Sequence, residues 1–263
     1  MMKPYETIQG DAQSSVLFLC DHASSDTPPE YERLGLPEAQ FQRHIAYDIG
    51  AAAAARWLAA HFRAPAILGG FSRLLIDANR GADDPTLVMR LSDGAIIPGN
   101  AAVGEAEIER RRAQYWQPYR DCIASRIAAM RGAGIVPAIV SIHSYTPVWK
   151  NYIRPWQMAV LWDADARLAA PLIAGLCSRG VSVGDNEPYD GALEGDTLYD
   201  HATLAGLPNA LVEFRQDLVG DEYGAQKWAA ILAEALAPVL AEPRSHMIEY
   251  HPSRTAKLQE LAS

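Results

Sequence analysis

Cysteine is scarce. Three in 263 residues (Cys20, Cys122 and Cys177) are too few and too widely spaced for a disulfide framework, and none forms a CxxC pair. That usage reads as a chain of the reducing cytoplasm whose thiols are small buried hydrophobes. Long apolar runs are missing too: windows such as Val16–Cys20 and Ile49–Ala60 are too short or too interrupted to cross a bilayer. The start, Met1-Met2-Lys3-Pro4-Tyr5-Glu6, lacks the charged and then apolar pattern of a secretory signal. Positive charge is short as well, 23 Lys plus Arg against 32 Asp plus Glu, a formal charge of −9. An acidic surface repels phosphate backbones, which argues against nucleic acid and anionic membranes as partners.

What is present is ordinary globular composition, with 49% hydrophobic and 21% charged residues. Short β-branched runs alternate with helical stretches. Strands are expected at Val16–Cys20, Ala66–Phe71, Leu74–Ile76, Pro137–Ile142, Met158–Trp162, Val181–Val183 and Asn209–Phe214. Helices are expected over Ile49–Phe62, Glu105–Met130 with a bend at Pro118, Ala166–Cys177 and Gln226–Leu240. No repeat or low-complexity linker divides the chain. The alternation predicts one three-layer α/β/α domain over residues 1–263, with its core at about 14–241 and a polar, loosely docked tail over 243–263.

Ligands in such sheets bind beyond the carboxyl ends of the strands. Two histidines fall there: His22 follows Val16–Cys20 by two residues, and His143 ends Pro137–Ile142. Imidazoles held at strand ends suit a divalent metal such as zinc, which needs a third protein ligand. Asp21, Asp26, His44 and Asp48 are candidates, although pattern alone reads Asp48 as a helix N-cap or first-turn acid. Arg73 through Arg80 concentrates further polar groups, and a guanidinium offers two parallel donors to a carboxylate. Glu213 and Arg215 share one strand face by alternation, as a buried ion pair or as a base with an electrophilic partner. Ser144 and Tyr145 follow His143 and are placed to touch a ligand or orient that ring; no Gly-x-Ser-x-Gly elbow makes Ser144 a nucleophile. Asn186 sits in a loop that either covers the pocket or forms a plain turn.

Six blocks in order resemble the N-formylglutamate amidohydrolase family, which is related to zinc carboxypeptidases and aspartoacylases. They are Cys20-Asp21-His22-Ala23-Ser24, His44-Ile45-Ala46-Tyr47-Asp48-Ile49-Gly50, Ser72-Arg73 with Asp77-Ala78-Asn79-Arg80, Ile142 through Pro147, Asp185 through Tyr189, and Val212 through Leu218. The resemblance implies a phosphorylase/hydrolase-like fold with a central mixed sheet, one bound Zn2+ per chain, and hydrolysis of the formamide or amide of an N-acyl amino acid. His22 and His143 look like the histidine ligands, Asn79 and Arg80 like the pair that holds the substrate carboxylate, and Glu213 like the general base. The residue three after His22 is Ser25, where the relatives carry a glutamate ligand. The missing carboxylate is therefore assigned to Asp48, with Asp26 as the fallback. Arg73 or Arg215 is expected to stabilise the oxyanion, while Ser144, Tyr145 and Asn186 join the substrate-binding set. The implied partner is a small anionic N-acyl amino acid, bound by a monomer or homodimer. A peptide-cleaving zinc carboxypeptidase or amidase and a non-catalytic binding relative are the competing readings.

Overall fold

Val16–Cys20 is apolar at every position, which suits a strand covered on both faces. In the computed structural model, which describes residues 2–255, it lies inside one mixed sheet of seven strands. The strands are β1 (Tyr5–Ile8), β2 (Val16–Cys20), β3 (Ala66–Gly69), β4 (Ala138–Tyr145), β5 (Met158–Leu161), β6 (Val183–Asp185) and β7 (Asn209–Arg215). Their spatial order is β1-β3-β2-β4-β7-β5-β6. The central four, β3, β2, β4 and β7, run parallel. At one edge β1 pairs antiparallel with β3, and at the other β5 pairs antiparallel with β7 and parallel with β6.

The helices are α1 (Ala51–Phe62), α2 (Glu105–Arg111), α3 (Gln117–Gly132), α4 (Ala166–Ser178), α5 (Thr197–His201), α6 (Gln216–Val219) and α7 (Glu222–Ala241). Alternation along the strands divides the interior into two cores. Phe18, Val140, Ile142, Val160, Val212 and Phe214 meet α1, α4 and α7 through Leu58, Leu172, Trp228 and Leu232. Leu17, Leu19, Ile139, Leu161 and Leu211 meet α3 and α5 on the other face, through Tyr119, Ile123 and Leu198. The three-layer α/β domain with a mixed sheet is thus present as expected. No helix among the described residues is long and apolar enough to cross a membrane.

Local departures have physical causes. Leu74–Ile76 is a turn and not a strand: Leu74 N donates to Ser72 Oγ and Leu75 N to Ser72 O, while the three apolar side chains fill the α3-side core. An apolar triplet signals burial whether or not it pairs. The expected Val181–Val183 strand lies two residues later, at β6. β1 was not expected, being a half-exposed edge strand without an apolar run. Between α2 and α3 the backbone widens by one residue, with Gln117 N donating to Arg112 O, next to Pro118, which has no N–H to give. The tail docks more firmly than its polarity suggests. Arg254 donates to Asp163 and to Trp162 O, and Ser245 Oγ donates to Val239 O. Residues 256–263 of the expected tail lie outside the described residues.

Candidate active site

The chemistry gathers on the α3 side of the sheet, at the carboxyl ends of β2, β4 and β7. Alternation along β4 turns Ser141, His143 and Tyr145 to that face, and the parallel register sets Glu213 directly beside His143. His22 leaves β2 after Asp21. Asp48 arrives from the loop before α1, and its carboxylate does not cap that helix, which starts at Gly50 in a left-handed conformation (φ 80°). Its backbone is tied to His22 instead, Asp48 N donating to His22 O.

His22, Asp48 and His143 come together, all buried, with one candidate ligand atom from each lying within 4.8 Å of the others. Asp48 Oδ2 is 3.4 Å from His22 Nδ1 and 2.8 Å from His143 Nδ1, and the two rings stand edge to face with centroids 5.0 Å apart. The far nitrogen of each ring meets its own carboxylate: His22 Nε2 lies 2.7 Å from Asp77 Oδ1, and His143 Nε2 lies 2.8 Å from Asp21 Oδ2. With Nε2 given to a carboxylate, each Nδ1 is the atom left to bind an ion once it loses its own proton, the arrangement by which carboxylates orient metal-binding imidazoles.

Hydrogen-bond saturation separates the acids. Asp21 accepts from Tyr119 Oη, Thr197 Oγ1, Ser141 Oγ and the His143 ring, so its oxygens are committed. Asp77 accepts from Arg73 Nε and Nη2, Asn79 N and the His22 ring. Apart from the two rings, Asp48 has only long contacts, 3.3 Å from Ser144 N and 3.4 Å from Arg73 Nη1. It is the carboxylate with lone pairs to offer. Burial alone would raise its pKa, but the two imidazoles outweigh burial and hold it low. Burial would lower both imidazoles, and the facing carboxylates overcome that to raise His22 and to raise His143 well above the ordinary range. Two buried imidazoles, a carboxylate with free lone pairs and saturated acids behind each ring make a donor set that fits zinc or a similar divalent ion.

These residues floor a cavity of about 400 Å³. Glu213 lines it at 6% exposure; its Oε2 has no hydrogen-bond partner among the described residues, and burial pushes its pKa up to about 7. An unpaired, buried carboxylate oxygen beside a cluster of metal-binding type is costly unless a ligand uses it. Asp196, also on the wall, caps α5 by accepting from Tyr199 N and is likewise raised by burial to about 7.

The other expected site residues divide. Arg73 lines the cavity, held by Asp77. Asn79 lines it, with Oδ1 accepting from Thr197 N. Arg80 lines it with no hydrogen-bond or ion-pair partner for its guanidinium among the described residues. Ser144 and Tyr145 line it, but their hydroxyls donate to Ile49 O and Trp156 O, so they brace the wall. Arg215 does not line it: the guanidinium turns to Asp217 and to the carbonyl oxygens of Arg154 and Trp156. Its place at the last residue of β7 frees it from the strand's alternation. Asn186 does not line it either; Oδ1 accepts from Trp162 N and Gly191 N, which makes it the brace of a turn. Asp26 is exposed on the loop after His22, away from the cluster, while His44 lines the cavity beside Trp149 and outside the ligand triplet. Sequence reasoning missed Asp77 as the acid behind His22 and weighed Asp21 only as a ligand. Trp162, Leu198 and Leu211 carried no signal, because only the tertiary fold brings them to this cavity.

A model of the N-formylglutamate amidohydrolase family matches residues 14–220. A gene product of Agrobacterium tumefaciens is 35% identical over 90% of this chain and 94% of its own, and its crystal structure superposes with a TM-score of 0.86. The N-formylglutamate amidohydrolase of Ralstonia eutropha shares 18% identity over 92% of this chain and 98% of its own, with a TM-score of 0.64, a likeness of fold. No curated protein matches the sequence significantly. With four-fifths of its length matched by that family model, the chain belongs to the N-formylglutamate amidohydrolase family, hydrolases of non-peptide C–N bonds.

Proposed function

We propose that this protein is a zinc-dependent amidohydrolase that cleaves the formamide or amide bond of an N-formyl or N-acyl amino acid. The observation that carries the reading is the open carboxylate of Asp48 between two Nδ1 atoms, with Glu213 beside it and unpaired. His22, Asp48 and His143 would hold the ion. Zinc bound there supplies electrophilic polarisation of the scissile carbonyl and acidification of water.

The remaining chemistry falls to the chain itself. Glu213, with a pKa near 7 and a free Oε2, takes the proton of the attacking water and returns it to the amine nitrogen as the C–N bond breaks. The products are the free acid and the amine. Arg80 and Asn79 stand on the wall to receive the amino-acid carboxylate. Arg73 keeps positive charge next to the reacting carbonyl, fixed in place by Asp77. Asp21 and Asp77 orient the two rings, and Ser144 braces the loop before α1 against β4 through Ile49 O.

The test is metal analysis joined to a substrate panel. Protein purified without chelator should hold about one zinc per chain and hydrolyse N-formyl or N-acetyl amino acids, and chelation should abolish the activity until zinc is restored. Full activity after the metal is stripped would overturn the mechanism.

A further inference from the structure

The cavity is chemically lopsided. Alternation puts Leu211 on the same face of β7 as Glu213, and the antiparallel register sets Leu161 of β5 opposite Leu211. Leu198 of α5 packs into the same core, and Leu193 and Trp162 complete this side of the wall. One step along the strand from Glu213 the wall is therefore aliphatic and aromatic, with Asn209 beyond it giving its Nδ2 to Leu207 O.

Charge on the wall points the same way. Two arginines line the cavity, and Arg73 is already committed to Asp77 and Asp48. Of the two, only the Arg80 guanidinium has no hydrogen-bond or ion-pair partner among the described residues, enough for one carboxylate. The nearby Arg154 does not line the cavity; it sits behind the wall and donates to the lining residues Thr146 and Tyr189. Of the imidazoles, His22 and His143 face carboxylates, while His44 has an Nε2 without a hydrogen-bond partner among the described residues, and burial pushes its pKa down, so it brings no fixed positive charge. Tyrosines aside, the other ionisable groups on the wall, Asp48, Asp190, Asp196 and Glu213, are all acids, and Asp190 is paired with Arg254. A second carboxylate on the substrate would lose water beside leucines and acids with no cation to receive it.

Building on the amidohydrolase reading, we propose that the substrate is a monocarboxylate, an N-acyl amino acid with an uncharged aliphatic or aromatic side chain. That side chain lies against Leu161, Leu198 and Leu211, and its single carboxylate pairs with Arg80. A dicarboxylate such as N-formylglutamate is rejected by the same wall.

The zinc-loaded protein is assayed with N-formyl-L-leucine, N-formyl-L-phenylalanine and N-formyl-L-glutamate. The expected kcat/KM is at least about 100-fold higher for the apolar pair, the scale of discrimination set by an unpaired buried charge. Leu211→Arg should narrow that ratio at least about tenfold by giving the second carboxylate a partner. Equal or faster turnover of N-formyl-L-glutamate by the unaltered protein overturns the proposal and leaves the amidohydrolase reading standing. If nothing is hydrolysed, that reading falls, and calorimetric titration of the same protein with N-acetyl-L-leucine and N-acetyl-L-glutamate decides the proposal alone. Tighter binding of the leucine derivative supports it; equal binding, reversed preference or no binding of either overturns it.

Discussion

The two faces of the sheet are made by the same strands and do opposite work. On the side of α1, α4 and α7 the inward positions of β4 and β7 are apolar up to Ser144: Ala138, Val140, Ile142, then Ala210, Val212 and Phe214. On the other side the same strands present Ile139, Asn209 and Leu211 first, and then Ser141, His143, Tyr145 and Glu213. One face is close-packed hydrocarbon whose worth is stability. The other gives up packing toward the carboxyl ends and fills the space with buried acids, imidazoles and a cavity. Such groups remain in a stable protein because each ring is pinned by a saturated carboxylate and because the opposite face holds the strands in register. Stability and chemistry should therefore be separable by mutation.

Glu213→Gln should bring the largest effect, lowering kcat by about 1,000-fold while zinc content stays near one per chain; a smaller loss, or loss of the metal, would remove Glu213 from the base role. On the opposite face, Leu172→Ala in α4 should cost about 2–5 kcal/mol in denaturant unfolding and leave kcat/KM per folded molecule unchanged. A matching fall in activity would show that the faces are not independent. Asp21→Asn should weaken zinc affinity by about 10–100-fold, since it loosens the His143 ring without touching the ion. Asp196 gives the smallest effect and works through pH. Its folded pKa of about 7 lies above its unfolded value, so its contribution to stability is full below pH about 4 and lost as pH rises toward 7. Asp196→Asn keeps the α5 cap and should be more stable than the parent at pH 8 and equal to it at pH 4, as thermal unfolding will show.

Much of this was legible in the residues, for identifiable reasons. β2, β4, β5 and β7 announce themselves because both of their faces are covered and their sequences are nearly continuous apolar runs. His22 and His143 stand out as polar residues at the ends of such runs. The ring supports do not, since Asp77 is 55 residues from His22 and Asp21 is 122 from His143. Contacts of that span are made by sheet order, which local pattern does not encode. Asp48 shows the limit most clearly: an acid just before an alanine-rich helix reads as a cap, yet the helix starts from Gly50 and the carboxylate goes to the imidazoles. Arg215 shows the converse, as alternation through β7 predicts a side chain beside Glu213 and the strand's last residue turns aside to Asp217.

The central claim concerns one point in space, between Nδ1 of His22, Nδ1 of His143 and an oxygen of Asp48. Anomalous diffraction at the zinc edge, from crystals grown with zinc, tests it directly. The expected result is a single peak about 2.0–2.2 Å from those three atoms, with both Nε2 atoms still on Asp77 and Asp21. A peak bound through Nε2, a peak held by other side chains, or no peak in the cavity would contradict it.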